Sequence, residues 1–434
     1  MPKTKLEPKI VKPEDIDPHH NWSRPLQAPG HMQVDFEERV DFRRLHRYRL
    51  ARTRAALAKS GLGAILTFDQ HNIRYISSTV IGEWARDKLT RYCLITGNGE
   101  PYVWDFGSAA KHHRLYAPWL EQDHCRAGLL GMRGAIHPNV GLFKRAAEEI
   151  KSILVEEGVA DMPLGVDLTE LPMLFELQKV GIDVRDGQQL MLDAREIKSH
   201  DEITLLNQSA AMVDGTYQKI AEALKPGVRE SQIVALANYD LYEQGSDCVE
   251  AINAISGERC SPHPHNFTDR ILRPGDQAFF DIIQSYVGYR TCYYRTFSVG
   301  RATVAQRDAY KRAREWIDTA IAMIKPGVRS DRVAEAWPTA EEIGFSGEME
   351  AFGLEFAHGL GLGLHERPII SRLNSFEEPT EIKAGMVFAL ETYCPAADGS
   401  GSAARIEEEV VVTDKGCKVI TLYPADELPV ANPY

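Results

Sequence analysis

The sequence predicts an α+β protein in which an α/β domain precedes a larger domain with an internal duplication. The pentapeptide Lys225-Pro226-Gly227-Val228-Arg229 recurs one hundred residues later at 325–329. Both copies follow an apolar helical pattern and precede a polar helix start, which is typical of a repeated helix–turn–helix unit. Before about residue 190, short apolar runs alternate with amphipathic segments, as in α/β domains.

Length and composition indicate a globular protein of two or three domains. The chain has 434 residues, of which 44% are hydrophobic and 26% charged, enough for sizeable cores. No apolar run approaches the ~18 residues of a membrane span, and no secretory signal is apparent. The net charge of −12 argues against nucleic acid and anionic membranes as partners. Seven cysteines without paired spacing predict reduced thiols and a cytoplasmic location.

The chain divides into three predicted parts. Residues 1–35 are rich in Pro, Lys, Asp and His and form an irregular arm, either disordered or wrapped around a partner subunit. Residues 36–190 form the α/β domain, and 191–434 the duplicated domain. The predicted elements are a helix over 41–60, strands over 63–68 and 73–76, a hairpin over 91–104, helices at 142–157 and 168–180, strands at 163–166 and 182–185, and a long helix over 195–224.

Four residues of the duplicated domain stand in separate short motifs, and their side chains match a metal-ligand set. They are Asp281, His358, Glu391 and Glu407. Three carboxylates and one imidazole suit a first-row divalent metal. No Asp or Glu follows Asp281 before position 308, and Cys292 lies in that interval.

These motifs resemble the creatinase, aminopeptidase P and methionine aminopeptidase superfamily, whose fold is called pitta-bread. The likeness covers about 190–425, and residues 36–190 are similar to the family's N-terminal creatinase-type domain. The motifs that carry it are Ser256-Gly257, Gly275-Asp276, Phe280-Asp281, Gly288-Tyr289, Arg295-Thr296-Phe297, His358-Gly359-Leu360-Gly361, His365-Glu366-Arg367-Pro368, Gly385-Met386-Val387, Glu391 and Arg405-Ile406-Glu407.

A narrower resemblance is to the dimethylsulfoniopropionate lyase branch. It rests on Phe68-Asp69, Asn72-Ile73-Arg74-Tyr75, Trp84 and Val103-Trp104-Asp105. The chain departs from that branch at two carboxylate positions, where Ile283 and Cys292 stand, and at His365, which is similar to the second histidine of the peptidase branches.

The resemblance implies a divalent metal, Zn, Fe or Mn, held by Asp281, Cys292, His358, Glu391 and Glu407. Cys292 replaces a bridging carboxylate, so one ion is expected rather than two, because a two-metal site needs carboxylates whose oxygens serve both ions. As a thiolate, Cys292 is a good ligand. A small buried residue in a metal-free pocket is the alternative, since creatinase works without a metal.

Catalytic roles follow from the same resemblance. In a hydrolytic reaction Glu391 moves the proton of the attacking water, while His365 stabilises a developing oxyanion or a leaving group. Either His263 or His265 supplies a further imidazole, as catalyst or as substrate contact. Glu408 and Glu409 are expected to be solvated or strand-face charges.

Tyrosines are dense beside Cys292, and they are either packing residues or part of a pocket. As a pocket, Tyr289 and Tyr293 would bind a cationic substrate group through cation–π contact. Trp84 would join them, either within the chain or from a partner subunit, as in related dimers.

The leading hypothesis is a homodimeric metallohydrolase that cleaves a C–N bond in a compact polar substrate. Three alternatives stay open: a lyase acting on dimethylsulfoniopropionate or a similar zwitterion, an Xaa-Pro dipeptidase, and a non-catalytic binding protein. The retention of the acid and imidazole set argues against the last.

Overall fold

The computed structural model describes residues 40–434, and the predicted arm over 1–35 lies outside them. The first part is a six-stranded sheet in the order β4-β3-β2-β1-β5-β6, flanked by helices. Its elements are α1 Phe42–Ser60, β1 Ala64–Thr67, α2 Gln70–Ser77, β2 Tyr92–Thr96, β3 Tyr102–Asp105, α3 Gly107–Tyr116, β4 Cys125–Ala127, α4 Leu142–Glu156, β5 Leu164–Val166, α5 Leu171–Lys179 and β6 Val184–Asp186.

One predicted strand is wrong, because residues 73–76 lie in helix α2. Asp69 caps this helix, since its carboxylate accepts hydrogen bonds from the backbone N–H groups of His71 and Asn72. Ile73 and Ile76 are then buried on one helical face. A four-residue apolar run fits a strand or a helical turn equally well, and the cap decides between them.

The predicted helix over 195–224 is α7 His200–Ala223, which begins five residues later than predicted because a separate helix, α6 Gln188–Arg195, ends just before it. Ser199 begins α7 with a capping box, in which its side chain bonds the backbone N–H of Glu202 and the Glu202 side chain bonds the backbone N–H of Ser199. The Ser-x-x-Glu spacing was therefore the sequence signal for the break.

The second part contains two sheets that are antiparallel except for the short parallel pairing of β15 with β9, and the inner strands β9 and β13 of the two sheets face each other. Thr296 of β9 and Arg405 of β13 exchange hydrogen bonds across this contact. The elements are α8 Glu230–Glu243, β7 Cys248–Ser256, β8 Gln277–Tyr286, β9 Tyr289–Val299, α9 Val304–Met323, α10 Ser330–Ala334, α11 Glu348–Ala351, β10 Phe356–Gly359, β11 Glu366–Ile370, β12 Val387–Pro395, β13 Ala403–Val412, β14 Cys417–Val419 and β15 Val430–Ala431.

The duplication is confirmed by matching backbone geometry in the two halves. Gly227 and Gly327 both have a left-handed backbone, with φ of +93° and +86°. The N–H of Gly227 donates to the carbonyl of Leu272, and that of Gly327 to Ile382, both at 2.9 Å. The α+β fold class is therefore as predicted. Among the helices of residues 40–434, none combines the length and apolar character needed to cross a lipid bilayer.

Gly327→Ala should lower the free energy of unfolding by about 1–2 kcal/mol, because the alanine Cβ disfavours a left-handed backbone. A Cβ here meets no atom within 4 Å, so backbone strain is the only cause. Gly215 in α7 is the control, since its Cβ also meets open space in an ordinary helical position. Gly215→Ala should raise stability by up to ~1 kcal/mol. Chemical denaturation measures both, and an unchanged Gly327→Ala would contradict the argument.

Candidate metal centre

Five predicted ligand residues converge between the two central sheets. Asp281 comes from β8, Cys292 from β9, His358 from β10, Glu391 from β12 and Glu407 from β13. Glu391 and Glu407 are directly paired across β12 and β13, so their side chains share one face. All five side chains are buried.

The distances among these side chains describe a compact cluster. The Sγ of Cys292 lies 3.5 Å from Oδ1 of Asp281 and 4.0 Å from Oε2 of Glu407. The Nε2 of His358 lies 3.8 Å from Oε1 of Glu391 and 3.9 Å from Oε1 of Glu407. One ligand atom each from Cys292, His358 and Glu407 all fall within 4.8 Å of one another. The thiol thus faces the acids and the imidazole.

The tautomer of His358 leaves a nitrogen that can bind a metal facing the acids. Its Nδ1 lies 3.1 Å from the carbonyl oxygen of Gly359 and must carry the proton to donate to it. Nε2 then presents a lone pair and is buried without a hydrogen-bond partner anywhere in residues 40–434. Burial lowers the pKa of His358 to about 3, so the ring stays neutral. A lone pair that faces carboxyl groups is satisfied either by a proton on one of the acids or by a metal ion between them, and a neutral imidazole nitrogen is a usual metal ligand.

The raised pKa values of the acidic groups also favour a bound cation. Burial raises the pKa of Glu391 to about 8, although Arg405 opposes that shift. Burial also raises the pKa of Glu407 and of the Cys292 thiol well above their ordinary values. These groups therefore keep their protons unless a cation takes their place. The donor set fits a divalent metal.

Two residues that sequence reasoning missed orient the acids. The Arg405 guanidinium donates to Oε2 of Glu391 and, at 2.7 Å, to the carbonyl of Leu354. The Asn253 amide donates to Oδ2 of Asp281 at 2.9 Å. Arg405 belongs to the motif Arg405-Ile406-Glu407, which did not predict its contact with Glu391. Asn253 lies in no motif, and only the pairing of β7 with β8 brings Asn253 next to Asp281.

Of the two candidate loop histidines, His263 is the buried one. Its Nε2 lies 2.7 Å from the hydroxyl of Tyr294, and its Nδ1 accepts from the N–H of His265. His265 is exposed and stacks on His263, with ring centroids 3.8 Å apart. His263 thus reaches the cluster through Tyr294, while His265 lies outside it.

Tyr289 and Tyr293 do not line a pocket at the cluster, which corrects the predicted substrate contacts. Residues alternate between faces along β9, and both lie on the face opposite Cys292. The Tyr289 hydroxyl donates to Glu202 at 2.9 Å and that of Tyr293 to Asp214 at 2.7 Å. Tyr294 is the tyrosine that shares the face of Cys292.

The remaining predicted residues lie at the periphery. The His365 ring is exposed, and its centroid lies 4.6 Å from that of His358, so it stands at the open side of the cluster. Trp84 is 57% exposed and packs against Phe106 at 5.3 Å between ring centroids. Within this protomer Trp84 is a surface residue of the first part of the chain.

Of the two expectations for Glu408 and Glu409, solvated or strand-face charges, the second holds: both are buried on β13. Glu408 points away from the cluster and pairs with Arg295 and Arg314 at 2.9 and 2.8 Å. Glu409 shares the face of Glu407. Its Oε1 accepts hydrogen bonds at 2.7 Å from both the Cys292 N–H and the Thr291 hydroxyl, so it holds β9 in place beside the thiol.

Glu409→Ala should lower the free energy of unfolding by about 2–5 kcal/mol, because two buried donors lose their acceptor. Glu409→Gln is the matched control, since one amide oxygen can accept both bonds. Burial raises the pKa of Glu409 to about 8 from 4.5. The folded wild type therefore binds the extra proton, and its stability falls as pH rises from about 4.5 to 8. The Glu409→Gln variant should therefore become more stable relative to wild type as the pH rises across that range. Equal stability of the Glu409→Ala and Glu409→Gln variants would contradict the role of Glu409 as a hydrogen-bond acceptor.

Comparison with known proteins shows what the chain is similar to. Residues 204–414 match the model of metallopeptidase family M24. The chain is 26% identical over 401 residues to the dimethylsulfoniopropionate lyase DddP of Roseovarius nubinhibens, covering 89% of this chain and 87% of that protein. It is 26% identical over 369 residues to an Xaa-Pro dipeptidase of Pyrococcus horikoshii, covering 84% and 93%.

Solved structures share the fold. An Xaa-Pro dipeptidase from Bacillus anthracis superposes with a TM-score of 0.71 at 22% identity, covering 89% of this chain and 99% of that one. The prolidase of Pyrococcus horikoshii gives 0.68 at 20% identity, covering 88% and 99%. The M24 match and the two relatives confirm the predicted resemblance, and the solved structures show the shared fold.

Proposed function

We propose that this chain, which carries an M24 metallopeptidase domain, is a single-metal enzyme that hydrolyses a C–N bond in a compact polar substrate. The observation that carries the proposal is the convergence of the Cys292 thiol with His358 and Glu407 within 4.8 Å. A family match supports the enzyme character, and the cysteine distinguishes this site from one built to hold two ions.

The chain's own residues would hold the metal and complete the catalytic set. Cys292, His358 and Glu407 are the first three ligands, with Asp281 and Glu391 beside them. Thiolate, imidazole and carboxylate together favour zinc. When bound, the metal polarises a carbonyl group and makes water a better nucleophile. A bridging carboxylate offers one oxygen to each of two ions, whereas Cys292 offers a single sulfur. This difference favours one ion.

Two side chains are placed for proton transfer. Glu391 is oriented by Arg405, and its raised pKa of about 8 suits a group that takes a proton and returns it near neutral pH. His365 lies at the open side of the cluster and donates to the leaving nitrogen or to a developing oxyanion. His263 and Tyr294 hold the remaining side of the site in position.

Elemental analysis of the purified protein tests the metal count, and the expected value is one ion per chain. A panel of Xaa-Pro dipeptides and other small amides tests hydrolysis, with amine release as the measurement. Two tightly bound ions per chain, or full activity after complete chelation, would refute the single-metal hydrolase.

A lyase is the second candidate, because the 26% identity to DddP extends over 401 residues and so includes much of the first part of the chain. Elimination needs a base next to an acidic C–H bond, and His365 is the side chain placed to serve. Incubation with dimethylsulfoniopropionate, assayed for dimethyl sulfide, decides between the two. Dimethyl sulfide release that is lost in His365→Gln, with no amide hydrolysed, would replace the first proposal.

The proposal extends to organisation and assembly. We place the domains at 36–190 and 191–434, supported by a first sheet confined to 64–186, and α6 Gln188–Arg195 connects the two. A cytoplasmic homodimer is proposed, in which the exposed Trp84 lies at the subunit contact. Light scattering on the purified protein measures the assembly, and a monomer would contradict it.

A further inference from the structure

Three side chains form one row across the sheet that carries Asp281. Asn253 of β7 is directly paired with Asp281 of β8, and Asp281 is directly paired with Tyr294 of β9. Directly opposed residues of antiparallel strands place their side chains on the same face, with Cβ atoms about 5 Å apart. All three residues are buried, so the Asp281 carboxyl group has a polar neighbour on each side and little contact with water.

Both neighbours donate hydrogen bonds to Asp281. Nδ2 of Asn253 donates to Oδ2 of Asp281 at 2.9 Å and lies 3.5 Å from the hydroxyl of Tyr294. Burial raises the pKa of Asp281, and hydrogen bonds from Asn253 and Tyr294 are among the interactions that oppose this rise. The other carboxyl oxygen, Oδ1, lies 3.5 Å from Sγ of Cys292 and so faces the cluster.

His263 determines where the proton of the Tyr294 hydroxyl points. Burial keeps the pKa of His263 well below its ordinary value, so the ring is neutral. Nδ1 accepts the backbone N–H of His265 at 3.3 Å, and the ring proton is therefore on Nε2. Nε2 donates to the Tyr294 oxygen at 2.7 Å. Since that bond uses a lone pair of the oxygen, the O–H of Tyr294 remains free to donate to Asp281.

The ring of Tyr294 is fixed as well as its hydroxyl. The guanidinium carbon of Arg405 lies 4.2 Å from the ring centroid, a cation–π contact. His263 and Phe279 pack edge-on against the same ring, with centroids 5.4 and 5.9 Å away. Arg405 also donates to Glu391. One guanidinium therefore holds both the phenol ring and a predicted metal ligand.

We infer that His263 and Tyr294 are a positioning pair, in which His263 directs the Tyr294 hydroxyl onto Asp281 and so orients that carboxylate for a metal ion. The inference rests on the metal centre of the proposed function. It also replaces the catalytic role expected for His263, because both ring nitrogens are already occupied, one as acceptor and one as donor. Carboxylate ligands are oriented by such hydrogen bonds, and loss of one partner lowers metal affinity by about 10- to 100-fold.

Tyr294→Phe removes the hydroxyl and keeps the ring beneath Arg405. Its affinity for Zn²⁺, measured on the full-length protein by competition with a chromophoric chelator, should fall about 10- to 100-fold. Tyr293→Phe is the matched control, since Tyr293 is the adjacent residue and its hydroxyl bonds Asp214 on the opposite face at 2.7 Å. The control also loses one buried hydrogen bond, but its Zn²⁺ affinity should stay within about threefold of wild type.

His263→Phe tests the other member of the pair, because it keeps a ring against Phe279 and donates nothing to Tyr294. Its Zn²⁺ affinity should fall by about three- to tenfold, less than in Tyr294→Phe, since the hydroxyl still reaches Asp281 but is no longer directed. The double variant should bind Zn²⁺ about as tightly as Tyr294→Phe alone, because both changes interrupt the same chain of hydrogen bonds.

Equal Zn²⁺ affinities of Tyr294→Phe and Tyr293→Phe would overturn the positioning pair and leave the metal centre intact. An unchanged affinity in His263→Phe, or a double variant in which the two losses multiply, would also overturn it, and these measurements do not require Tyr294→Phe to fold. A wild-type protein that binds no metal would refute both the pair and the proposed function. Zn²⁺ binding that is weakened in Tyr294→Phe, in a protein that hydrolyses no amide, would refute the proposed reaction while it supports the pair.

Discussion

Replacing Cys292 with aspartate should raise the metal content from one ion to two per chain. An aspartate carboxylate offers two oxygens, one for each ion, where the thiol offers a single sulfur. The position is suitable because Sγ lies 3.5 Å from Asp281 and 4.0 Å from Glu407, so a carboxylate there would join two others. Elemental analysis after equilibration with excess Zn²⁺ or Mn²⁺ measures the change.

The same variant should be unstable without metal. A fourth buried carboxylate beside Asp281, Glu391 and Glu407 adds charge to a site whose acids already keep raised pKa values. We therefore expect the metal-free variant to unfold at a lower temperature than wild type and to recover when metal is added. Cys417→Asp is the control, since Cys417 lies on β14, away from the cluster. Unchanged metal content in Cys292→Asp would show that residue 292 is not at a ligand position.

Glu391→Gln should lower turnover by about 10²- to 10⁴-fold, the range expected when a general acid–base group is lost. Glutamine keeps the shape and can still accept from Arg405, but it cannot take a proton from water. Metal binding should fall much less, because Cys292, His358 and Glu407 remain. Steady-state kinetics on whichever small amide the panel identifies, together with metal analysis, separate the two effects.

Glu350→Gln is the matched control for this change, since Glu350 is exposed on α11 and outside the cluster. Its kinetics should equal those of wild type. Turnover in Glu391→Gln within about threefold of wild type would remove Glu391 from the proton-transfer role and leave it as a structural partner of Arg405.

The convergence of the five cluster residues was predictable because each lies in its own motif, and the order of these motifs is the one in the proteins that the chain resembles. The sequence did not reveal on which face of the sheet each side chain of a strand lies. On β9 a shift of one residue exchanges the two faces, so the dense run of tyrosines did not reveal that Tyr294 faces the cluster while Tyr293 bonds Asp214.

Burial of charge was the other feature beyond sequence reasoning. Glu408 looked like a solvated residue because its partners, Arg295 and Arg314, lie about one hundred positions away in the chain. The burial of Arg290 was equally hidden, because Glu250, its ion-pair partner at 2.8 Å, lies 40 positions earlier in the chain. Residues that neutralise one another across strands have no common spacing, so only coordinates reveal them.

The five cluster residues are divided between the two repeats, with Asp281 and Cys292 from the first and His358, Glu391 and Glu407 from the second. An ion held by all of them would link two halves that are otherwise joined by packing and by hydrogen bonds such as those between Thr296 and Arg405. Binding free energy then becomes folding free energy by mass action. The apparent melting temperature should therefore follow free metal concentration, and chelation should make the two halves unfold less cooperatively.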